Sequence, residues 1–132
     1  MSLLVRDNRV LVPYLRDGAP TAGAMTAITM TGAGVYFTNV MDVGTFTELI
    51  GFLKVTAADG ASTMDVNLQG SADGKTFDDL VAGGDKFTQV TTAAVHELFK
   101  FGSNFGKYIR FKITLAGAAS SYTFSLWLVA KS

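Results

Sequence analysis

From Tyr108 to Leu115 the chain alternates without a break. Ile109, Phe111, Ile113 and Leu115 occupy one parity, and Tyr108, Arg110, Lys112 and Thr114 the other. After a small, polar turn from Ala116 to Ser121, Phe124, Leu126 and Leu128 alternate with Thr123, Ser125 and Trp127. Successive side chains of a strand point to opposite faces, so a period of two marks a half-buried antiparallel strand. Two such strands need a cover, and the rest of the chain must present a matching apolar face.

The cover is legible upstream. Met64, Val66 and Leu68 alternate with Asp65, Asn67 and Gln69, and Ser71-Ala72-Asp73-Gly74-Lys75 then offers a hairpin loop. Gly74 suits its left-handed position, and Thr76 to Leu80 reads as the return. Between Thr45 and Thr56, Leu49, Leu53 and Val55 share one face, and Phe46, Ile50 and Phe52 the other. A strand apolar on both faces is covered twice, or its outer face meets a partner. Shorter strand candidates are Ala24 to Thr31, Val35 to Thr38, Val40-Met41, Lys86 to Thr91 and Val95 to Phe101. Short strands between Gly-rich turns predict an all-β fold: an antiparallel two-sheet β-sandwich, jelly-roll-like, spanning residues 21–132. A chain of 132 residues can close one such core without disulfides.

Residues 1–20 differ in character and predict an extended N-terminal arm or an edge strand. Arg6, Asp7, Arg9, Arg16 and Asp17 crowd around the apolar triplets Leu3 to Val5 and Val10 to Val12. Such triplets suit a strand added to a neighbour's sheet, and Pro13 limits pairing to one side. The ordinary alternative is a first strand within the chain's own sheet. Leu3, Leu4, Val5, Val10, Val12, Tyr14 and Trp127 are the candidate interface residues. The leading apolar run is too short for a signal-peptide core, and no run is long enough to span a bilayer.

Chemistry-bearing residues are sparse. Eleven basic residues balance eleven acidic ones, so no net field favours nucleic acid or an anionic membrane. Cysteine is absent and His96 is the only histidine, too few ligands for zinc and no partner set for a triad. His96 is expected to be a structural or a surface histidine. Asp73, Asp78 and Asp79 lie close in sequence, as a carbohydrate-cleaving pair or a calcium loop would, but their spacing lacks the calcium-loop pattern and they read as turn residues. Gly32-Ala33-Gly34 and Gly83-Gly84 lack the Lys-Ser/Thr of a phosphate loop. Tyr108, Arg110 and Lys112, with Tyr122 across the turn, resemble a nucleic-acid platform in miniature, which neutral overall charge argues against. Trp127 sits on the polar parity of its strand, as an interface or inter-sheet anchor or as a stacking surface for a ligand. The expectation is no catalytic residue, no metal and no cofactor.

Two segments carry a family resemblance. Met64 to Leu80, with its Ser-Ala-Asp-Gly-Lys-Thr-Phe turn, and Gly106 to Leu115 followed by Tyr122 to Lys131 are similar to short β-sandwich virion proteins of tailed bacteriophages. More weakly, they resemble discoidin-type carbohydrate-binding modules, from which Phe77 departs where those modules carry Trp. The resemblance implies a non-enzymatic head decoration or cement protein. It would be assembled in the host cytoplasm and carried in the virion, on a major capsid protein or another virion protein. It also implies a homo-oligomer, a trimer being favoured. The alternative is a carbohydrate-binding module of a phage tail or surface protein, using Tyr108, Arg110 and Trp127 as its platform.

Overall fold

The alternating segments pair into two sheets whose apolar faces meet. In the computed structural model the described residues are 8–11, 13–15, 23–24, 26–80, 86–93, 95–101, 105–118 and 120–131, with backbone alone for 8, 9, 14, 15, 23 and 24. The strands are β1 (Asn8–Leu11), β2 (Tyr14–Leu15), β3 (Gly23–Ala24), β4 (Ile28–Thr31), β5 (Gly34–Phe37) and β6 (Met41–Asp42). They continue as β7 (Glu48–Ala58), β8 (Thr63–Ser71), β9 (Asp78–Asp79), β10 (Val95–Phe101), β11 (Tyr108–Ala116) and β12 (Ser121–Lys131).

Sheet I runs β1-β12-β7-β10, with β4 pairing the other end of β12. Sheet II runs β5-β11-β8-β9, with β6 pairing the start of β11. Each sheet has five strands, all pairings are antiparallel, and β2 and β3 form a separate small ribbon. The expected two-sheet antiparallel sandwich is the observed architecture.

The buried parities are those of the sequence. Leu49, Leu53 and Val55 of β7 and Tyr122, Phe124, Leu126 and Leu128 of β12 face Met64, Val66 and Leu68 of β8 and Ile109, Phe111, Ile113 and Leu115 of β11. Each such side chain contributes about 1.5–3 kcal/mol on leaving water. Phe87 enters from the loop between β9 and β10 and meets Phe99, Phe101 and Phe111, with ring centroids 5.8–6.5 Å away.

Several expectations are corrected. Lys86 to Thr91 is not a continuous strand: it touches β8 through isolated bridges, Asn67 with Lys86 and Met64 with Val90. Phe46 lies in the core instead of sharing the outer face of Ile50 and Phe52. Tyr122 is fully buried and takes no part in any platform with Tyr108. The two alternating strands on either side of the Ala116–Ser121 turn do not pair with each other. β11 pairs β8 in sheet II and β12 pairs β7 in sheet I. The Ala116–Ser121 turn therefore carries the chain from one sheet to the other.

Of residues 1–20, Asn8–Leu11 form an edge strand on the end of β12, Val10 opposite Val129 and Leu11 opposite Leu128. Leu3, Leu4, Val5 and Val12 lie outside the described residues, as does the side chain of Tyr14.

Candidate functional site

The two outer faces of the sandwich differ in kind. On sheet II the polar parity of β11 is satisfied from within. The Arg110 guanidinium lies between the rings of Phe37 and Phe77, 4.0 and 4.2 Å from their centroids. Its Nε donates to Gln69 at 2.8 Å, Gln69 donates to Asp79 at 2.9 Å, and Lys112 donates to the second oxygen of Asp79 at 3.1 Å. The Gln69 and Lys112 hydrogen bonds lower the Asp79 pKa, against partial burial. The Tyr108 ring lies beside the hairpin loop, where a Cβ on Gly74 would meet it at 3.5 Å. Tyr108 and Arg110 are thus neighbours, but their faces are already occupied by the chain itself.

The acidic residues of the hairpin do not converge. Asp73 accepts from the backbone N–H groups of Lys75 and Thr76 and from the Ser71 hydroxyl. These bonds, led by the Thr76 and Lys75 N–H groups, bring its pKa to about 2. Asp79 faces Gln69 and Lys112, and Asp78 is exposed. Among the described residues no group of three His, Asp or Glu side chains could hold a metal ion.

Sheet I presents the contrasting surface. Its outward parity joins residues far apart in sequence into cross-strand rows. Leu98 stands opposite Phe52, and Phe52 opposite Trp127. In the next row Ile50 stands opposite Val129, and Val129 opposite Val10. Directly opposed side chains in an antiparallel pair lie about 4.5–5.5 Å apart at Cβ, so the rows form a continuous apolar field. Val10 is 64% exposed, Leu98 61% and Phe52 37%, while Ile50, Trp127 and Val129 are half-buried. Among the described residues these three include every large apolar side chain that exposed except Val35, which lies on sheet II.

Polar groups border the field. Phe52, Lys54, His96, Glu97, Leu98 and Trp127 line a shallow hollow of about 330 Å³. Past Lys54, Ser125 is covered by the preceding loop, its hydroxyl accepting from the N–H of Ala27 at 2.7 Å. Trp127 therefore faces outward on the sheet opposite to Tyr108 and Arg110, and the three residues do not form one platform. The reading of β7 as apolar on both faces anticipated Ile50 and Phe52 on its outer side. It missed Leu98 and Val129, which join them only through register.

No protein-family model matches the chain, and no curated protein matches it by sequence. Solved structures do share its fold. A chain in the structure of infectious bursal disease virus, Gx strain, is 12% identical with a TM-score of 0.60, covering 96% of this chain and 32% of that one. The likeness is one of fold. This chain thus corresponds to about a third of the viral protein. The SPBc2 prophage-derived protein YomS is 8% identical with a TM-score of 0.49, covering 100% and 99% of the two chains. The xylan-binding module CBM15 is 14% identical with a TM-score of 0.47, covering 94% and 97%. The β-sandwich is thus shared with a part of the infectious bursal disease virus protein.

Proposed function

We propose that this protein is a non-enzymatic structural component of a bacteriophage particle, a head decoration or cement protein. It seats the outer face of sheet I on the major capsid protein. The observation that carries this reading is the apolar field of Val10, Ile50, Phe52, Leu98, Trp127 and Val129 on one face of the sandwich, opposite a face on which Arg110, Gln69, Asp79 and Lys112 bond one another. Contiguous exposed apolar surface rimmed by polar groups marks interaction sites on proteins, and aromatic anchors dominate their energy. Adhesion of this kind stabilises a shell by mass action, because the protein binds the assembled lattice and not its separated subunits. The residues and turns that resemble phage virion proteins support the same role, with assembly in the host cytoplasm.

The test is co-sedimentation of purified protein with shells assembled from a major capsid protein encoded in the same genome. Binding is expected for the wild type, with loss of about tenfold or more for Trp127→Lys or Val129→Lys, since a buried unpaired charge opposes docking. Equal binding by these variants, or none by the wild type, would refute the reading.

One observation favours a second reading, a carbohydrate-binding module. The half-buried Trp127 ring borders a hollow edged by His96, Glu97 and Lys54, and indole faces stack on sugar rings. Glycan-array binding by the wild type that disappears in Trp127→Ala would establish it.

A further inference from the structure

β10 is where sheet I stops. Its register with β7 runs unbroken from Val95 opposite Val55 to Phe101 opposite Leu49. It contains no proline and no bulge, and it has seven residues. The other strands that end a sheet are shorter: β1, β4 and β5 have four residues each, and β6 and β9 two. Among the described residues no main-chain hydrogen bond reaches the far side of β10. Thr88 approaches it, but donates through its N–H and hydroxyl to the Glu97 carboxylate at 2.9 and 3.2 Å, leaving the backbone of β10 unengaged. A straight, open edge is a template for another strand, and proteins usually blunt one with shortness, bulges or proline. Here the centre of that edge carries Leu98, 61% exposed.

We propose that two copies of this chain pair antiparallel through β10, about a two-fold axis at Leu98, so that both copies of sheet I become one continuous sheet. Two features on the strand select a second copy as the occupant. Only an axis at Leu98 lets all seven residues pair, and it sets Leu98 on Leu98. An axis at Glu97 would oppose two carboxylates, and one at Lys100 two ammonium groups, which directly opposed strand positions disfavour. The apolar row then runs unbroken from Trp127 through Phe52 and Leu98 into Leu98, Phe52 and Trp127 of the second copy. A formal net charge of zero leaves no long-range repulsion between copies. Because the same edge is used by both copies, the pairing closes at two and cannot generate a ring of three.

Sedimentation equilibrium of the full chain, free of any capsid protein, tests the proposal independently of the function above. The wild type is expected at twice the chain mass. Leu98→Lys places two ammonium groups on the axis and is expected to weaken the dimer by about tenfold or more, while the single chain keeps its folded far-UV circular dichroism spectrum, since the side chain is exposed in one copy alone. Trp127→Lys, two strands in from the edge, is expected to remain dimeric. A monomeric or trimeric wild type overturns the proposal. So does a Leu98→Lys protein that dimerises like the wild type. Dissociation by Trp127→Lys alone also overturns it, because the copies would then meet face to face.

Discussion

The carboxylate of Asp59 accepts a hydrogen bond from the backbone N–H of Ser121 at 2.8 Å. Asp59 sits in the turn from β7 to β8, and Ser121 ends the turn from β11 to β12. Both turns cross between the sheets, so one side chain ties the two crossings together at the same end of the sandwich. The same carboxylate also receives the hydroxyl of Ser62 and the N–H groups of Ala61 and Ser62.

That arrangement predicts an acid-sensitive joint. The Ser62 hydroxyl, followed by the Ser121 and Ala61 N–H groups, lowers the Asp59 pKa from 3.8 to about 2. A folded-state pKa below the unfolded one gives stabilisation that is present above the unfolded value and is lost as pH falls through the folded one. The melting temperature is therefore expected to fall between about pH 4 and pH 2, with a shallower fall in Asp59→Asn. Asp73, also at about 2, adds to the same limb, and the double variant should be shallower still. Thermal melts across that range measure the effect.

Tyr122 holds the same end from inside. Its hydroxyl donates to the Ser62 carbonyl at 2.7 Å within the core, with the Val90 carbonyl 3.2 Å away. Tyr122→Phe keeps the ring and takes the hydroxyl donor from the buried Ser62 carbonyl, while the Val90 carbonyl keeps the N–H of Met64 at 2.9 Å. The expected loss is about 1–3 kcal/mol in urea denaturation, with the denaturant dependence unchanged.

The stack around Arg110 predicts a non-conservative lysine. Arg110→Lys replaces a planar guanidinium between Phe37 and Phe77 with a compact ammonium that cannot lie flat on both rings. A loss of roughly 1–2 kcal/mol is expected, close to that of Arg110→Ala. Chemical denaturation of the two variants side by side decides it.

Gly51 predicts an overpacked core. A Cβ added there would lie 2.7 Å from ring atoms of both Phe87 and Phe101. Neither ring is a flexible side-chain end, so Gly51→Ala is expected to cost about 1–3 kcal/mol. A melting temperature equal to that of the wild type would show that the rings yield freely.

Much of the sandwich was legible because burial in a strand follows parity, and parity is a local property. Ile109 to Leu115 and Met64 to Leu68 face the core as their alternation requires. The hairpin after β8 was legible for a similar reason: Gly74 takes a φ of 78°, and Asp78–Asp79 return to pair with β8. Lys86 to Thr91 misled because its apolar residues are anchors for a loop, Phe87 filling the core between Phe99, Phe101 and Phe111. The candidate interface was legible only in pieces. Phe52 and Trp127 each show an outward parity, but nothing in either strand says that they are neighbours.

The sequence by itself determined which side chains point inward, where the turns fall, and that the fold is all-β, since these follow from spacing along one strand and from turn chemistry. Only the tertiary structure decided which strands pair. β11 and β12 are adjacent in the chain yet belong to opposite sheets, and β7 and β8 divide in the same way. Pairing is settled by matching two apolar faces across the whole molecule, a long-range condition that no local pattern encodes. The outer field of Leu98, Phe52 and Trp127 is a product of that matching: register across three strands brings residues 46 and 75 positions apart into one row.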